Sequence, residues 1–233
     1  LIICIDDSIK LTTSLSYTAY NWSTGETATT ISVKDGNTYT VTVTDTKGCK
    51  GSDEITISES KQAAPEICMA SVSWLQDYKY NVITWDHEQG VDIDHFNVYH
   101  KNKYSGLYDL LGSVNADSLG IFVDYASDPN AGSEYYKISM VDKCGIESDL
   151  SAHHKTIHLI KTIDLDTTIV NLMWDNYEGL TFASYNIYRG PDIYSMDSIT
   201  SVLNTTFIWS DNNLPSYRPI YYNIGINLPL TCI

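Results

Sequence analysis

Basic side chains are few in this chain: 14 lysines and arginines stand against 29 aspartates and glutamates, leaving a net charge of −15 over 233 residues. A surface this acidic has no cations to exchange for the counter-ions of a phosphate backbone, so nucleic acid is excluded as its natural partner. Long apolar runs are also missing. None approaches the roughly 18 residues a membrane helix needs, and no membrane insertion is expected. Neither Gly-x-Ser-x-Gly, His-Glu-x-x-His nor a Cys-x-x-Cys pair occurs, which removes sequence support for a hydrolase, a zinc site or a redox pair. With 13 glycines and 6 prolines the chain is neither low-complexity nor collagen-like.

What is abundant points to strands. Tyrosine supplies 18 residues against 5 tryptophans and 4 phenylalanines, and threonine, serine, isoleucine and valine dominate the rest. These side chains suit pleated, half-buried surfaces, and the fold class read from them is all-β. Of five cysteines, Cys4, Cys49, Cys68 and Cys144 suffice for two bridges and Cys232 is left over. Four cysteines allow three pairings, and their use as disulfides implies an oxidising, exported location.

A boundary is expected where strand alternation stops at Ile57 and the polar stretch Ser58–Pro65 begins, since its closing proline cannot continue a ladder. Before it, Ile9–Thr12, Thr30–Val33, Tyr39–Thr44 and Ile55–Ile57 alternate apolar and polar residues, with Gly25 and Gly36 in the turns between. So short a unit has little core of its own. A bridge from Cys4 to Cys49 would close a loop of about 45 residues and contribute about 4 kcal/mol.

The remainder contains a repeat. Ile83-Thr84-Trp85-Asp86 matches Leu172-Met173-Trp174-Asp175, and eleven residues beyond each tryptophan lie Phe96-Asn97-Val98-Tyr99 and Tyr185-Asn186-Ile187-Tyr188. Asp124 then precedes Tyr135-Tyr136-Lys137-Ile138 as Asp211 precedes Tyr221-Tyr222-Asn223-Ile224. Period-2 alternation aims Ile83, Trp85, Phe96, Val98, Tyr136, Ile138 and Met140 inward in one copy. In the other copy the inward set is Leu172, Trp174, Tyr185, Ile187, Tyr222, Ile224 and Ile226. Each tryptophan anchors its own core.

These motifs resemble fibronectin type III domains, the first copy at Trp85, Phe96-x-Val98 and Tyr136-x-Ile138-x-Met140, the second at Trp174, Tyr185-x-Ile187 and Tyr222-x-Ile224-x-Ile226. The opening unit, with Tyr20-x-Trp22-Ser23-Thr24-Gly25-Glu26-Thr27, Tyr39–Asp45 and Gly48-Cys49, resembles the immunoglobulin-like repeats of secreted and surface proteins of Bacteroidetes. The segments Val141–Ser148 and His154–Leu159 strengthen that likeness. The resemblance implies tandem Greek-key β-sandwiches: an immunoglobulin-like domain over 1–62 and fibronectin type III-like domains over 63–158 and 159–233. It further implies a type IX secreted or outer-surface protein, pairing of Cys68 with Cys144, and no catalytic residues to carry over.

Asp86, Glu88, Asp92 and Asp94 crowd one loop and offer oxygens for calcium, yet lack a complete calcium-loop signature, and a solvated acidic loop accounts for them. His153, His154 and His158 cluster at the second domain junction; His154 and His158 would share a face, though a polar connector explains them as well. Tyr104, Tyr108, Tyr125, Tyr177, Tyr194 and Tyr217 fall outside the inward pattern and are candidate exposed binding aromatics. Asp7-Ser8-Ile9, Asp117-Ser118-Leu119, Asp166-Thr167-Thr168 and Asp197-Ser198-Ile199 resemble the O-glycosylation signal of exported Bacteroidetes proteins.

The expectation is a non-catalytic extracellular array for adhesion, spacing or protein and glycan binding, needing no cofactor. Its partners would be other domains of a full-length protein and an extracellular protein or glycan. The alternative is an ancillary region of a secreted protease or glycan hydrolase whose catalytic domain lies elsewhere. Short connectors at 59–65 and 155–162 imply relative domain motion.

Overall fold

The computed structural model describes residues 2–3, 7–59, 63–75, 78–86, 93–164 and 169–227, and every regular element among them is a strand. The chain divides into two compact units, Leu1–Gln62 with Asp142–Ile146, and Ala63–Val141 with Glu147–Ile233.

The first unit holds β1 (Ile2–Ile3), β2 (Ile9–Thr12), β3 (Ala19–Trp22), β4 (Thr30–Val33), β5 (Asn37–Thr44) and β6 (Lys50–Glu59). Strands β2 and β4 form one sheet and β1-β6-β5-β3 the other. Alternation decides the faces: Leu11, Ile31 and Val33 meet Trp22, Tyr39, Val41, Val43 and Ile57 in one core. Strand β3 joins the segments expected from alternation, its Tyr20 and Trp22 buried and its Ala19 and Asn21 exposed.

The expected Cys4–Cys49 bridge is not formed. Cys49 is exposed with a free thiol. The register explains this, because β1 runs parallel to β6 and pairs Ile3 with Glu59, whereas Cys49 directly precedes the opposite end of that strand. Ten residues of strand separate Ile3 from Cys49 by about 33 Å, far beyond the reach of a disulfide. Cys4 itself lies outside the described residues.

The second unit contains two β-sandwich modules with separate cores. Its first module has β7 (Ile67–Leu75), β8 (Tyr78–Trp85), β9 (Ile93–Lys101), β10 (Tyr108–Asn115), β11 (Ile121–Asp124), β12 (Tyr135–Asp142) and β13 (His154–Lys155). They assemble as β11-β8-β7 facing β10-β9-β12-β13. Its second module repeats the plan with β14 (Leu159–Asp164), β15 (Ile169–Trp174), β16 (Ser184–Gly190), β17 (Asp197–Leu203), β18 (Ile208–Asp211) and β19 (Tyr221–Ile226), as β14-β15-β18 facing β17-β16-β19.

The repeat holds in the two cores. Trp85 ends β8 and Trp174 ends β15, each 4–5% exposed. Phe96, Val98, Tyr136 and Ile138 surround Trp85 as Tyr185, Ile187, Tyr222 and Ile224 surround Trp174. Ser113 donates to Asn97 Oδ1 at 2.6 Å, and Ser201 donates to Asn186 Oδ1 at 2.6 Å. Met140 and Ile226, aimed inward by alternation, line their cores from partly buried positions.

Candidate functional site

The residues that join the two modules of the second unit form its most organised polar cluster. Strand β15 ends at Trp174, and three residues later the chain places Tyr177 in the core of its own module, beside Tyr185 and Phe182. The Tyr177 hydroxyl leaves that core and reaches the neighbouring module. It accepts the backbone N–H of Ala70, on β7, at 3.0 Å and lies 2.8 Å from His154 Nδ1. Burial, with His153 adding to it, pushes His154 down to about 4 and so keeps it neutral. Burial likewise raises Tyr177 to about 12, against the pull of the Ala70 N–H.

Around this centre the backbone is continuous. Lys155 donates its N–H to Glu178 O at 2.9 Å, Thr156 donates to Glu134 O at 3.0 Å, and Asp175 donates to His158 O at 3.1 Å. Lys155 Nζ and His153 Nε2 flank the Glu178 carboxylate at 3.6 and 2.9 Å. The His153 contact is the main cause holding Glu178 below the usual carboxylate range, helped by Lys155. Gly179 has φ +116° and its missing side chain leaves room for the His154 ring, which a Cβ would strike. Beside the cluster a cavity of about 220 Å³ is lined by Met69, Trp74, Lys79, Leu159, Tyr177 and Ile224.

Two expectations change here. The segment 155–162 is no free connector: His154, Lys155 and Thr156 are 3, 7 and 1% exposed and hydrogen-bonded on both sides. Tyr177, read as an exposed aromatic, is 6% exposed. Alternation could not find it, because it follows a strand rather than lying in one.

The other candidates scatter. Tyr104, Tyr125 and Tyr194 are largely exposed and Tyr217 borders on it, each in a different loop. Tyr108 is half-buried on β10 with Lys137 Nζ 5.1 Å from its ring centre. The three histidines part company: His153 meets Glu178, His154 meets Tyr177, and His158 Nε2 donates to the Asn130 carbonyl oxygen at 3.0 Å. Among the described residues no group of three or more His, Cys, Asp or Glu is placed to hold a metal ion. Of the acidic loop, Asp86 is exposed and Asp94 lies 2.8 Å from His95 Nδ1, whereas Glu88 and Asp92 lie outside the described residues. The Asp-Ser sites at 7–8, 117–118 and 197–198 are exposed, and 166–168 lies outside the described residues.

No protein-family description matches the chain, and no curated protein matches it. Among solved structures it is similar to an Fn3-like protein from Clostridium thermocellum, at 21% identity over 40% of this chain and 93% of that one, with a TM-score of 0.32. It is also similar to the FN1–FN3 domains of chicken CNTN1, at 12% identity over 94% of this chain and 88% of that one, with a TM-score of 0.37.

Proposed function

We propose that the chain is a non-catalytic array of β-sandwich modules that serves adhesion, spacing or presentation within a larger secreted or surface protein. The observation that carries this reading is the Tyr177 junction. A hydroxyl from one module satisfies a buried backbone N–H of the other, so the pair resists bending and holds its loops in a fixed mutual orientation. That property suits a spacer or a presenting surface.

An exported, oxidising location belongs to the same proposal. Neither Cys68 nor Cys144 offers a titratable thiol, which supports their use as half-cystines. Peptide mapping without reduction is expected to recover both in cross-linked peptides, and alkylation of either in the native, unreduced protein would count against export.

The function is tested by displaying the chain on a cell lacking surface adhesins and measuring attachment to extracellular-matrix proteins and glycan-coated surfaces. Turnover is followed in parallel with casein and soluble polysaccharides. Attachment without turnover is the expected result. Hydrolysis that co-purifies with the chain and survives further fractionation would overturn the reading.

A further inference from the structure

The two sandwiches of the second unit share one plan on different residues, so each serves as a control for the other. In the later module Asp211, 2% exposed, accepts from Tyr222 Oη at 2.7 Å and from Arg189 Nη1 at 2.6 Å. A buried carboxylate needs such compensation, and a fixed guanidinium supplies it. The position equivalent to Arg189, offset like Trp85 from Trp174, is His100.

Around His100 the earlier module is built differently. Asp124 accepts from Tyr136 Oη at 2.8 Å, as its twin accepts from Tyr222. A second buried carboxylate, Glu134, stands where the later module has Ile220; its Oε2 is 2.9 Å from the same hydroxyl and 3.2 Å from Asn81 Nδ2. Beside His100, at the turn after β9, the earlier module has a hollow of about 480 Å³, whose lining includes His100, Lys103, Tyr104, Ser133 and Glu134.

Three residues of this hollow stand in different surroundings. His100 Nε2 is buried and has no hydrogen-bond partner among the described residues; the nearest carboxylate oxygen, Glu134 Oε2, is 3.8 Å away. Glu134 Oε1 meets the Lys103 ammonium at 3.5 Å, while Oε2 carries the bonds to Tyr136 and Asn81. Tyr104 is fully exposed, yet its backbone is fixed. Asn102 Oδ1 accepts the N–H groups of Tyr104 and Ser105 at 2.9 and 3.1 Å, and Gly106 closes the turn at φ +72°.

An exposed phenol ring on a hydrogen-bonded turn, beside a carboxylate and an ammonium around a polar hollow, matches the two faces of a sugar. The C–H face of a pyranose covers an aromatic ring, and its hydroxyls both donate to carboxylate and bond to ammonium. We propose that the hollow beside the β9–β10 turn is a saccharide-binding site, with Tyr104 as the stacking platform and Glu134 Oε1 and Lys103 as the hydroxyl-binding groups. This deepens the reading of the chain as a binding and presenting array and rests on it.

The test is titration of the ¹⁵N-labelled full chain with cellohexaose, chitohexaose and hexagalacturonate. At least one is expected to shift the amides of residues 100–106 and 133–135. Tyr104→Ala removes an exposed ring that the fold does not use, and is expected to weaken binding at least about tenfold. Glu134→Gln is expected to weaken it as well. Tyr194→Ala, at a largely exposed tyrosine of the later module, is expected to bind as the unaltered chain does. Amides around the hollow that stay unmoved by all three sugars, or a Tyr104→Ala chain that binds as tightly, would overturn the site. Mass spectrometry of the recovered sugar separates the two readings: a cleaved sugar refutes the non-catalytic function while leaving the site standing, whereas an intact unbound sugar refutes the site alone.

Discussion

Tyr177 and His154 show how one buried hydroxyl sets the chemistry of its neighbours. Replacing Tyr177 with Phe keeps the ring in its core but strands the Ala70 N–H and His154 Nδ1, both away from water. A loss of about 2 kcal/mol in urea denaturation of the full chain is expected. His154 also makes stability depend on pH. Its folded value, about 4, lies below the ordinary value of 6.5, so the unfolded chain binds the proton first as pH falls. The stabilisation is complete above about pH 6.5 and is lost progressively toward pH 4, a total on the order of 3 kcal/mol. Glu178, also held low, adds loss in the same direction below its ordinary value of 4.5. Denaturation midpoints measured from pH 7.5 to 4 are expected to fall less steeply for His154→Gln, whose amide stays neutral throughout. An unchanged slope would show that His154 is not the titrating group.

At the scale of elements, strand alternation was a sound guide wherever one face of a strand meets a core. Most inward residues of β8, β9, β12, β15, β16 and β19 follow a period of two, though Ile93 and Val170, also in the cores, were not named from it, and the two tryptophans give the repeat its register. Residues that follow strands or close turns obey no such period, which is why Tyr177 read as an exposed aromatic. Gly179 belongs to that class. Its positive φ and the His154 ring beside it are both incompatible with a Cβ, so Gly179→Ala is expected to cost about 3 kcal/mol, measured by thermal or urea denaturation. Cys49, exposed next to β6, is expected to be alkylated in the native protein without reductant, as peptide mass spectrometry would show. Cysteine count suggested a bridge there; strand register, invisible in composition, forbids it.

Across the whole second unit, the joined modules are expected to share their stability. Leu172→Ala, deep in the later core, should cost about 3 kcal/mol. Native-state hydrogen exchange should then show reduced protection in β7 of the earlier module as well as in β15, because Ala70 is bonded to Tyr177. Unchanged exchange in β7 would mean that the modules unfold independently. The sequence by itself determined the all-β class, the tandem repeat and the inward face of each core strand, because those follow from side-chain alternation and from spacing along the chain. Only the tertiary structure decided which cysteine stays free, which tyrosine is buried at the junction, and where His100, Glu134 and Tyr104 gather. Those outcomes depend on register and on approach between segments far apart in sequence, and no local pattern of residues encodes them.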